Sequence, residues 1–133
     1  MHLVKDIANF LPDQEVKKHI KALIIDDEED ICILISGYLK RQKIDPEYSL
    51  TLESGLEKIK SHSPQILFLD NNLPDGSGID SILSIRQANN KIKIVVISAL
   101  TNLQDKALNN GADAFIGKPI SFQSLQNVIV ERN

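Results

Sequence analysis

Short apolar runs recur along the chain from residue 21 onwards, and longer segments of a different periodicity separate them. Continuous aliphatic and β-branched runs are typical of strands that are covered on both faces, as in a parallel sheet. Four runs have this character, at residues 22–25, 65–69, 92–97 and 112–116. A weaker fifth run, at residues 48–52, is predicted to be the second strand because it separates the first two helical segments.

The intervening segments carry apolar residues at intervals of three and four, which indicates helices that pack on one face. Ile31, Leu34 and Ile35 begin the first such segment, and the last helix is predicted at roughly residues 121–130. Strands that alternate with helices predict right-handed crossovers. We therefore expect an α/β fold over residues 21–133, with a doubly wound, five-stranded parallel sheet and five helices.

Residues 1–20 precede this alternation and are predicted to be an N-terminal helical extension. Leu3, Ile7 and Leu11 have helical spacing, and Pro12 would end the helix. Two interpretations are open at this point. The helix packs on its own domain, or it contacts a partner or a second copy of the chain in a homodimer.

Composition excludes several functional classes without choosing one. In this chain of 133 residues, 42% are hydrophobic and 25% charged, which is ordinary for a soluble globular protein. No apolar run approaches the ~20 residues that span a bilayer, so no membrane partner is expected. The net charge of −3 argues against a nucleic-acid surface. The single cysteine, Cys32, permits no internal disulfide and is consistent with a reducing, cytoplasmic location.

Polar side chains follow four of the predicted strands. Asp26 and Asp27 come directly after the first strand, Asp70 after the third and Ser98 after the fourth, and Lys118 lies just beyond the fifth. In an open parallel sheet, the carboxyl ends of the strands form the crevice where ligands bind. We therefore expect these side chains to meet at one rim of the sheet.

Three carboxylates that converge repel one another, and a hard divalent cation would relieve that repulsion. Mg²⁺ takes a few carboxylates and keeps positions open for phosphate oxygens. With a lysine and a hydroxyl nearby, the set suits phosphoryl transfer, with Asp70 as the nucleophile that becomes an aspartyl phosphate. Each residue also has an ordinary interpretation: a helix-start acid, a turn residue, a cap or a surface ammonium. The Lys118–Pro119 bond is open to either isomer.

At these positions the sequence resembles the receiver domain of bacterial two-component response regulators, of the chemotaxis-receiver type with a flavodoxin-like fold. The resemblance covers residues 21 to about 130. It rests on four segments in the family's order: LIIDDEEDI, ILFLDNNLPDGSGID, IVVISAL and GADAFIGKPI.

The resemblance implies a role for each matching residue. Asp70 would be the phosphoacceptor. The implied Mg²⁺ ligands are Asp26, Asp27, Asp70 and the backbone carbonyl of Asn72. The implied phosphate-binding residues are Lys118, Ser98 and Ala99, and the implied switch residues are Ser98 and Phe115. For Phe115 the alternative is a ring that stays in the core.

The family's partners would be a sensor histidine kinase or a histidine phosphotransfer protein, and a downstream protein target. The domain would catalyse only its own phosphorylation and dephosphorylation, and would otherwise be no enzyme. Ser98 and Gly111 lie only 13 positions apart, which predicts a shortened fourth-helix region. No output domain follows the fifth helix, so the chain would be a stand-alone receiver or a fragment. The alternative is a receiver-like binding module that phosphorylation no longer regulates.

Overall fold

A computed structural model describes residues 19–130 of the chain, and these form a five-stranded parallel sheet. Its strands in chain order are β1 (Ile20–Ile25), β2 (Ile44–Ser49), β3 (Ile66–Asp70), β4 (Lys93–Ser98) and β5 (Ala114–Gly117). They lie side by side in the order β2-β1-β3-β4-β5, and every neighbouring pair is parallel. The predicted sheet is confirmed.

Five α-helices cover the two faces of this sheet within residues 19–130. They are α1 (Glu29–Arg41), α2 (Leu52–His62), α3 (Gly78–Ala88), α4 (Gln104–Asn109) and α5 (Phe122–Val130). A short antiparallel hairpin, Asn72–Leu73 with Gly76–Ser77, lies between β3 and α3, and a 3₁₀ turn, Thr101–Leu103, precedes α4. None of the helices in this part of the chain has the length and apolar character that crossing a bilayer requires.

The core consists of two apolar layers, one on each face of the sheet. Leu23 and Ile25 of β1 belong to the layer beneath α2, α3 and α4, whereas Ala22 and Ile24 belong to the layer beneath α1 and α5. Alternate residues of a strand point to opposite faces. A strand that is apolar at every position is therefore buried on both sides, which explains why continuous runs predicted the central strands.

The second strand lies earlier in the chain than predicted. It runs over Ile44–Ser49 rather than residues 48–52, and α2 already begins at Leu52. The Thr51 hydroxyl accepts a hydrogen bond from Ser54 N at 3.2 Å, as an N-cap does. Because β2 is an edge strand with exposed and half-buried positions, it lacks the apolar run that marks the other strands.

The last helix agrees with its prediction, and the shortening of the fourth-helix region relative to the family stays a prediction. The fifth helix covers Phe122–Val130, close to the predicted residues 121–130. With six residues, α4 is the shortest helix in the part of the chain that the structure describes. The predicted N-terminal helix falls in residues 1–18 and so lies outside the described residues, and its role stays a prediction.

Candidate functional site

Strand register brings the predicted site residues to one level at the carboxyl rim of the sheet. Ile25 of β1 is paired with Leu69 of β3, so Asp26 and Asp70 follow at the same height. Asp70 is in turn paired with Ile97, the residue before Ser98. A pocket opens at this rim, and its lining residues are Asp27, Glu28, Asp70, Asn72, Ser98, Ala99, Leu100 and Lys118.

Three carboxylates converge on this pocket. One oxygen from each of Asp26, Asp27 and Asp70 lies within 4.8 Å of the others. Asp26 and Asp70 are buried, whereas Asp27 is exposed. Asp26 Oδ1 accepts a hydrogen bond from Glu28 N at 2.8 Å, but Asp26 Oδ2 is buried without any hydrogen bond. An all-oxygen donor set with an open lone pair is suited to a hard cation such as Mg²⁺, so these residues fit that ion.

The Lys118 ammonium lies among the same carboxylates. Its Nζ is 3.1 Å from Asp26 Oδ2 and 3.5 Å from Asp70 Oδ1, although neither contact has the geometry of a hydrogen bond. It donates a hydrogen bond to Glu28 Oε1 at 2.7 Å. The Lys118 backbone N donates to Ser98 O at 2.9 Å, and the Lys118–Pro119 bond is cis. The lysine is thus anchored to β4 and its amine reaches towards β1 and β3.

Burial and mutual repulsion disturb the protonation of these acids. Burial raises the pKa of Asp70 to about 6, and the neighbouring charge of Asp26 adds to the rise, while Lys118 opposes it. Burial also raises the pKa of Asp26, and neither the Glu28 N–H nor Lys118 cancels the effect. For Lys118, burial would lower the pKa, but the Glu28, Asp26 and Asp70 carboxylates outweigh burial and raise it. Shifts of this kind, from desolvation and specific partners, are frequent at functional sites.

The loop after β3 is held rigidly under Asp70. Asn71 Oδ1 accepts hydrogen bonds from Ser77 Oγ at 2.9 Å and Ile79 N at 3.0 Å, and Gly78 N donates to Asn71 O at 3.0 Å. A side chain at Gly78 would collide with the backbone oxygen of Asp70. Glycine therefore permits α3 to begin directly against the strand end, which fixes the position of Asp70.

Asp75 ties the same loop to α2. Its carboxylate accepts hydrogen bonds from Leu52 N at 2.8 Å and Glu53 N at 2.9 Å, the first backbone donors of that helix. These two N–H groups lower the pKa of Asp75. The loop that carries Asn72 is therefore fastened at both ends, by α3 on one side and α2 on the other.

Ser98 and Phe115 stand in different surroundings. The Ser98 side chain is buried, and its hydroxyl accepts a hydrogen bond from Leu100 N at 3.0 Å, so it is engaged with its own loop rather than with Asp70. Phe115 is half-buried and packs against the apolar layer beneath α2, α3 and α4. It does not line the pocket.

Residues 22–130 match the family model of the response regulator receiver domain, which is most of the chain. The chain belongs to this family. Phosphoryl acceptance is general for receiver domains.

Curated relatives of this receiver domain include regulators and sensor kinases. It is 32% identical over 111 residues to the response regulator protein PilR of Pseudomonas aeruginosa, covering 82% of this chain and 25% of PilR. The KDP operon transcriptional regulatory protein KdpE of Escherichia coli is 34% identical over 106 residues, with coverages of 78% and 47%. The autoinducer 2 sensor kinase/phosphatase LuxQ of Vibrio vulnificus is 25% identical over 129 residues, with coverages of 95% and 15%. The chain spans less than half of each of these relatives.

Solved structures share the fold of this receiver domain. A two-component response regulator from Clostridium difficile superposes with a TM-score of 0.81 at 28% identity, covering 86% of this chain and 95% of that one. A CheY-like receiver domain protein from Methanospirillum hungatei gives a TM-score of 0.79 at 27% identity, with coverages of 86% and 94%.

Seven of the eight predicted site residues of this receiver domain lie together. Six line the pocket, namely Asp27, Asp70, Asn72, Ser98, Ala99 and Lys118, and Asp26 joins them through its contact with Lys118. Phe115 lies apart, on β5. The roles of all eight residues stay predictions.

Two residues that make contacts at the site, Glu28 and Asp75, were not predicted from the sequence. No role was predicted for Glu28, whose contact with Lys118 joins residues 90 positions apart. No role was predicted for Asp75 either, whose partners lie 22 and 23 positions earlier. No local pattern reveals partners at such distances, because the contacts exist only once the strands are aligned.

Proposed function

We propose that this receiver domain accepts a phosphoryl group from a phospho-histidine donor onto Asp70, with Mg²⁺, and thereby switches a surface that binds a protein target. The observation that carries the proposal is the convergence of Asp26, Asp27 and Asp70 within 4.8 Å of one another, with Lys118 Nζ 3.5 Å from Asp70. Phosphoryl transfer is catalysed mainly by positioning and charge neutralisation. This pocket offers both.

Asp26, Asp27 and Asp70 would hold the metal ion through carboxylate oxygens, and Asn72 would add its backbone carbonyl. Once bound, Mg²⁺ would neutralise charge on the phosphoryl oxygens. Asp26 Oδ2 supports this assignment, because this buried carboxylate oxygen accepts no hydrogen bond and has only the Lys118 ammonium, 3.1 Å away, to offset its lost hydration.

Asp70 would act as the nucleophile. A carboxylate oxygen forms a bond to phosphorus while the bond from phosphorus to the histidine nitrogen breaks, and the imidazole leaves with the electron pair and takes up a proton. The Asp70 carboxylate must be ionised to attack. With a pKa of about 6 it is mostly ionised at pH 7 in the metal-free protein, and a nearby cation would increase that fraction.

Lys118, Ser98 and Ala99 would receive the phosphoryl oxygens. The Lys118 ammonium is already within 3.5 Å of Asp70. The Ser98 hydroxyl would have to leave its present bond with Leu100 N, so phosphate binding would rearrange the β4–α4 loop. We propose that Phe115 responds to this rearrangement. Such a switch shifts populations only by the difference in free energy of binding between the two states.

Partner classes follow from the family. A sensor histidine kinase or a histidine phosphotransfer protein would supply the phosphoryl group, and the domain would catalyse only its own phosphorylation and dephosphorylation. We propose one domain over residues 21–133, with residues 1–20 as an extension. Homodimer formation, stand-alone action and a cytoplasmic location stay predictions.

The test is incubation with Mg²⁺ and a small phosphodonor such as acetyl phosphate, followed by intact-mass measurement. Wild type should gain one phosphoryl group, whereas Asp70→Asn should gain none. Asp80→Asn removes an exposed acid from α3 and should label like wild type. Equal labelling of wild type and Asp70→Asn would refute the assignment. Absence of labelling under all conditions would favour a binding module without phosphorylation.

A further inference from the structure

Glu28 makes the shortest contact to Lys118 in the pocket, although no predicted role involves it. The ammonium is 2.7 Å from Glu28 Oε1, compared with 3.1 Å from Asp26 and 3.5 Å from Asp70. Of these three carboxylates, Glu28 alone accepts a hydrogen bond from the amine. In the unphosphorylated protein, the Lys118 ammonium is therefore held by Glu28, an acid outside the three-aspartate cluster, as well as by Asp26 and Asp70.

The side chain of Glu28 is exposed, whereas its backbone is held by hydrogen bonds. Glu28 N donates to Asp26 Oδ1 at 2.8 Å, and Glu28 O accepts from Ile31 N at 3.0 Å. Its side chain is 59% exposed, whereas that of Lys118 is only 15% exposed. Water can therefore hydrate the Glu28 carboxylate if it leaves the amine, whereas Lys118 remains in the pocket.

A phosphoryl group on Asp70 would need the same amine. It adds negative charge and acceptor oxygens, and it would stand in a pocket that Glu28 also lines. The ammonium has three N–H donors and can serve several acceptors, but two anions beside it repel each other, and this repulsion weakens the contact of each. The exposed anion is the one that can leave.

We propose that Glu28 is a positioning residue that holds the Lys118 ammonium in the unphosphorylated protein and competes with the phosphoryl group on Asp70 for it. This inference rests on the proposed function. Glu28 therefore lowers the phosphorylated fraction that a given donor concentration sustains. The bond to Glu28 breaks as the aspartyl phosphate forms.

Glu29 provides a matched control. It is the next acid along the chain and carries the same charge, but its carboxylate accepts a hydrogen bond from the Tyr48 hydroxyl at 2.6 Å instead. Glu28 is the N-cap residue of α1, but its side chain makes no hydrogen bond to the helix backbone, so Glu28→Ala removes no helix cap. Glu28→Asp keeps the charge but shortens the side chain by one methylene, which withdraws the carboxylate from Lys118.

The first measurement uses metal-free protein without a phosphodonor. The NMR signal of Lys118 Nζ, assigned by its loss in Lys118→Ala, should shift in Glu28→Ala and in Glu28→Asp at constant pH. It should stay in place in Glu29→Ala. An unchanged signal in Glu28→Ala would show that the contact is absent in solution and would overturn the inference.

The second measurement is the phosphorylated fraction at steady state with Mg²⁺ and subsaturating acetyl phosphate. Since exposed ion pairs are weak, Glu28→Ala should raise the ratio of phosphorylated to unphosphorylated protein about two- to fivefold. Glu28→Asp should behave alike, Glu29→Ala should match wild type, and in the Lys118→Ala background Glu28→Ala should change nothing. An equal rise in Glu29→Ala, or a fall in Glu28→Ala, would contradict the competition.

Different results would refute the phosphorylation of Asp70 and the role of Glu28. Failure of wild type to label at Asp70 would remove the proposed function and the competition together. If wild type labels at Asp70 while Glu28→Ala matches Glu29→Ala, phosphorylation stands and only the role of Glu28 is overturned.

Discussion

Charged side chains lie at both ends of the sheet, but their bonding differs. At the amino end of β4 and β5, the Arg86 guanidinium donates hydrogen bonds to the Gly111 and Ile92 carbonyls and to Asp113 Oδ2 at 2.6 Å. Asp113 Oδ2 also accepts from Ile94 N at 2.8 Å. The guanidinium and its carboxylate partner are thus bonded to the backbone of the strands and loops around them.

At the carboxyl end, charge is concentrated and incompletely compensated. Asp26 Oδ2 is buried without a hydrogen bond, and Asp70 is protonated more readily than an ordinary aspartate, with a pKa of about 6. Buried polar groups are normally bonded, and an exception requires a reason. Under the proposed function, the amino-end cluster serves stability, whereas the carboxyl-end cluster gives up stability in order to bind a charged ligand.

The largest expected effect comes from breaking the amino-end cluster. Arg86→Ala should lower the free energy of unfolding by about 3 kcal/mol, because it leaves the partly buried Gly111 and Ile92 carbonyls without their donor. Urea denaturation at pH 7 measures this. Lys106→Ala, which removes an exposed contact of 3.9 Å with Asp80, should cost less than about 1 kcal/mol. Equal losses would show that the Arg86 bonds contribute no more than a surface pair.

A substitution in the carboxyl-end cluster should change the free energy of unfolding in the opposite direction. In metal-free protein, Asp70→Asn should raise the free energy of unfolding at pH 7 by about 2 kcal/mol, because an ionised, poorly solvated carboxylate is removed. The folded pKa of about 6 lies above the reference value of 3.8, so folded Asp70 keeps its proton after the unfolded chain has lost it. Wild-type stability should therefore fall as pH rises from 4 to 6, and the mutant should lose much of this slope.

Denaturation of both proteins across this pH range, with a chelator present, gives the measurement. The amino-end variant Arg86→Ala serves as a control, since it retains Asp70 and should keep the wild-type slope. A mutant that is less stable than wild type at pH 7 would mean that the ionised Asp70 is fully compensated by Lys118.

The smallest expected change in stability comes from Mg²⁺, which would relieve the repulsion among Asp26, Asp27 and Asp70. Mg²⁺ at ten times its dissociation constant should stabilise wild type by about 1.4 kcal/mol, since it binds only the folded cluster. Asp27→Ala should weaken this gain, and Asp80→Ala should leave it intact. Thermal melts with and without Mg²⁺ measure the difference. Equal gains for Asp27→Ala and wild type would count against Asp27 as a ligand.

Sequence predicted the buried parts of the fold better than the exposed ones. β1, β3 and β4 are apolar at nearly every position, which leaves little ambiguity in their placement. The edge strand β2 contains polar and half-exposed residues, so it has no continuous apolar run. The prediction therefore placed Leu50 and Leu52 in the strand, although Leu52 begins α2. Edge position and the weak strand propensity of Asp45, Pro46 and Glu47 together explain that error.

The sequence predicted those residues of the candidate site that directly follow a strand. Asp26, Asp70 and Ser98 follow strands whose register aligns them, so their meeting needs only the parallel sheet. Glu28 and Asp75 act through contacts across the rim. The direction of the Ser98 hydroxyl, towards Leu100 N, depends on how its loop folds back.

The most direct test of the central claim locates the phosphoryl group chemically. Borohydride reduces an acyl phosphate to an alcohol, so an aspartyl phosphate is converted to homoserine at the modified position. After incubation with Mg²⁺ and acetyl phosphate, reduction and peptide mass spectrometry should find homoserine at residue 70 and aspartate at positions 26 and 27. Homoserine at another acid, with Asp70 unmodified, would contradict the account.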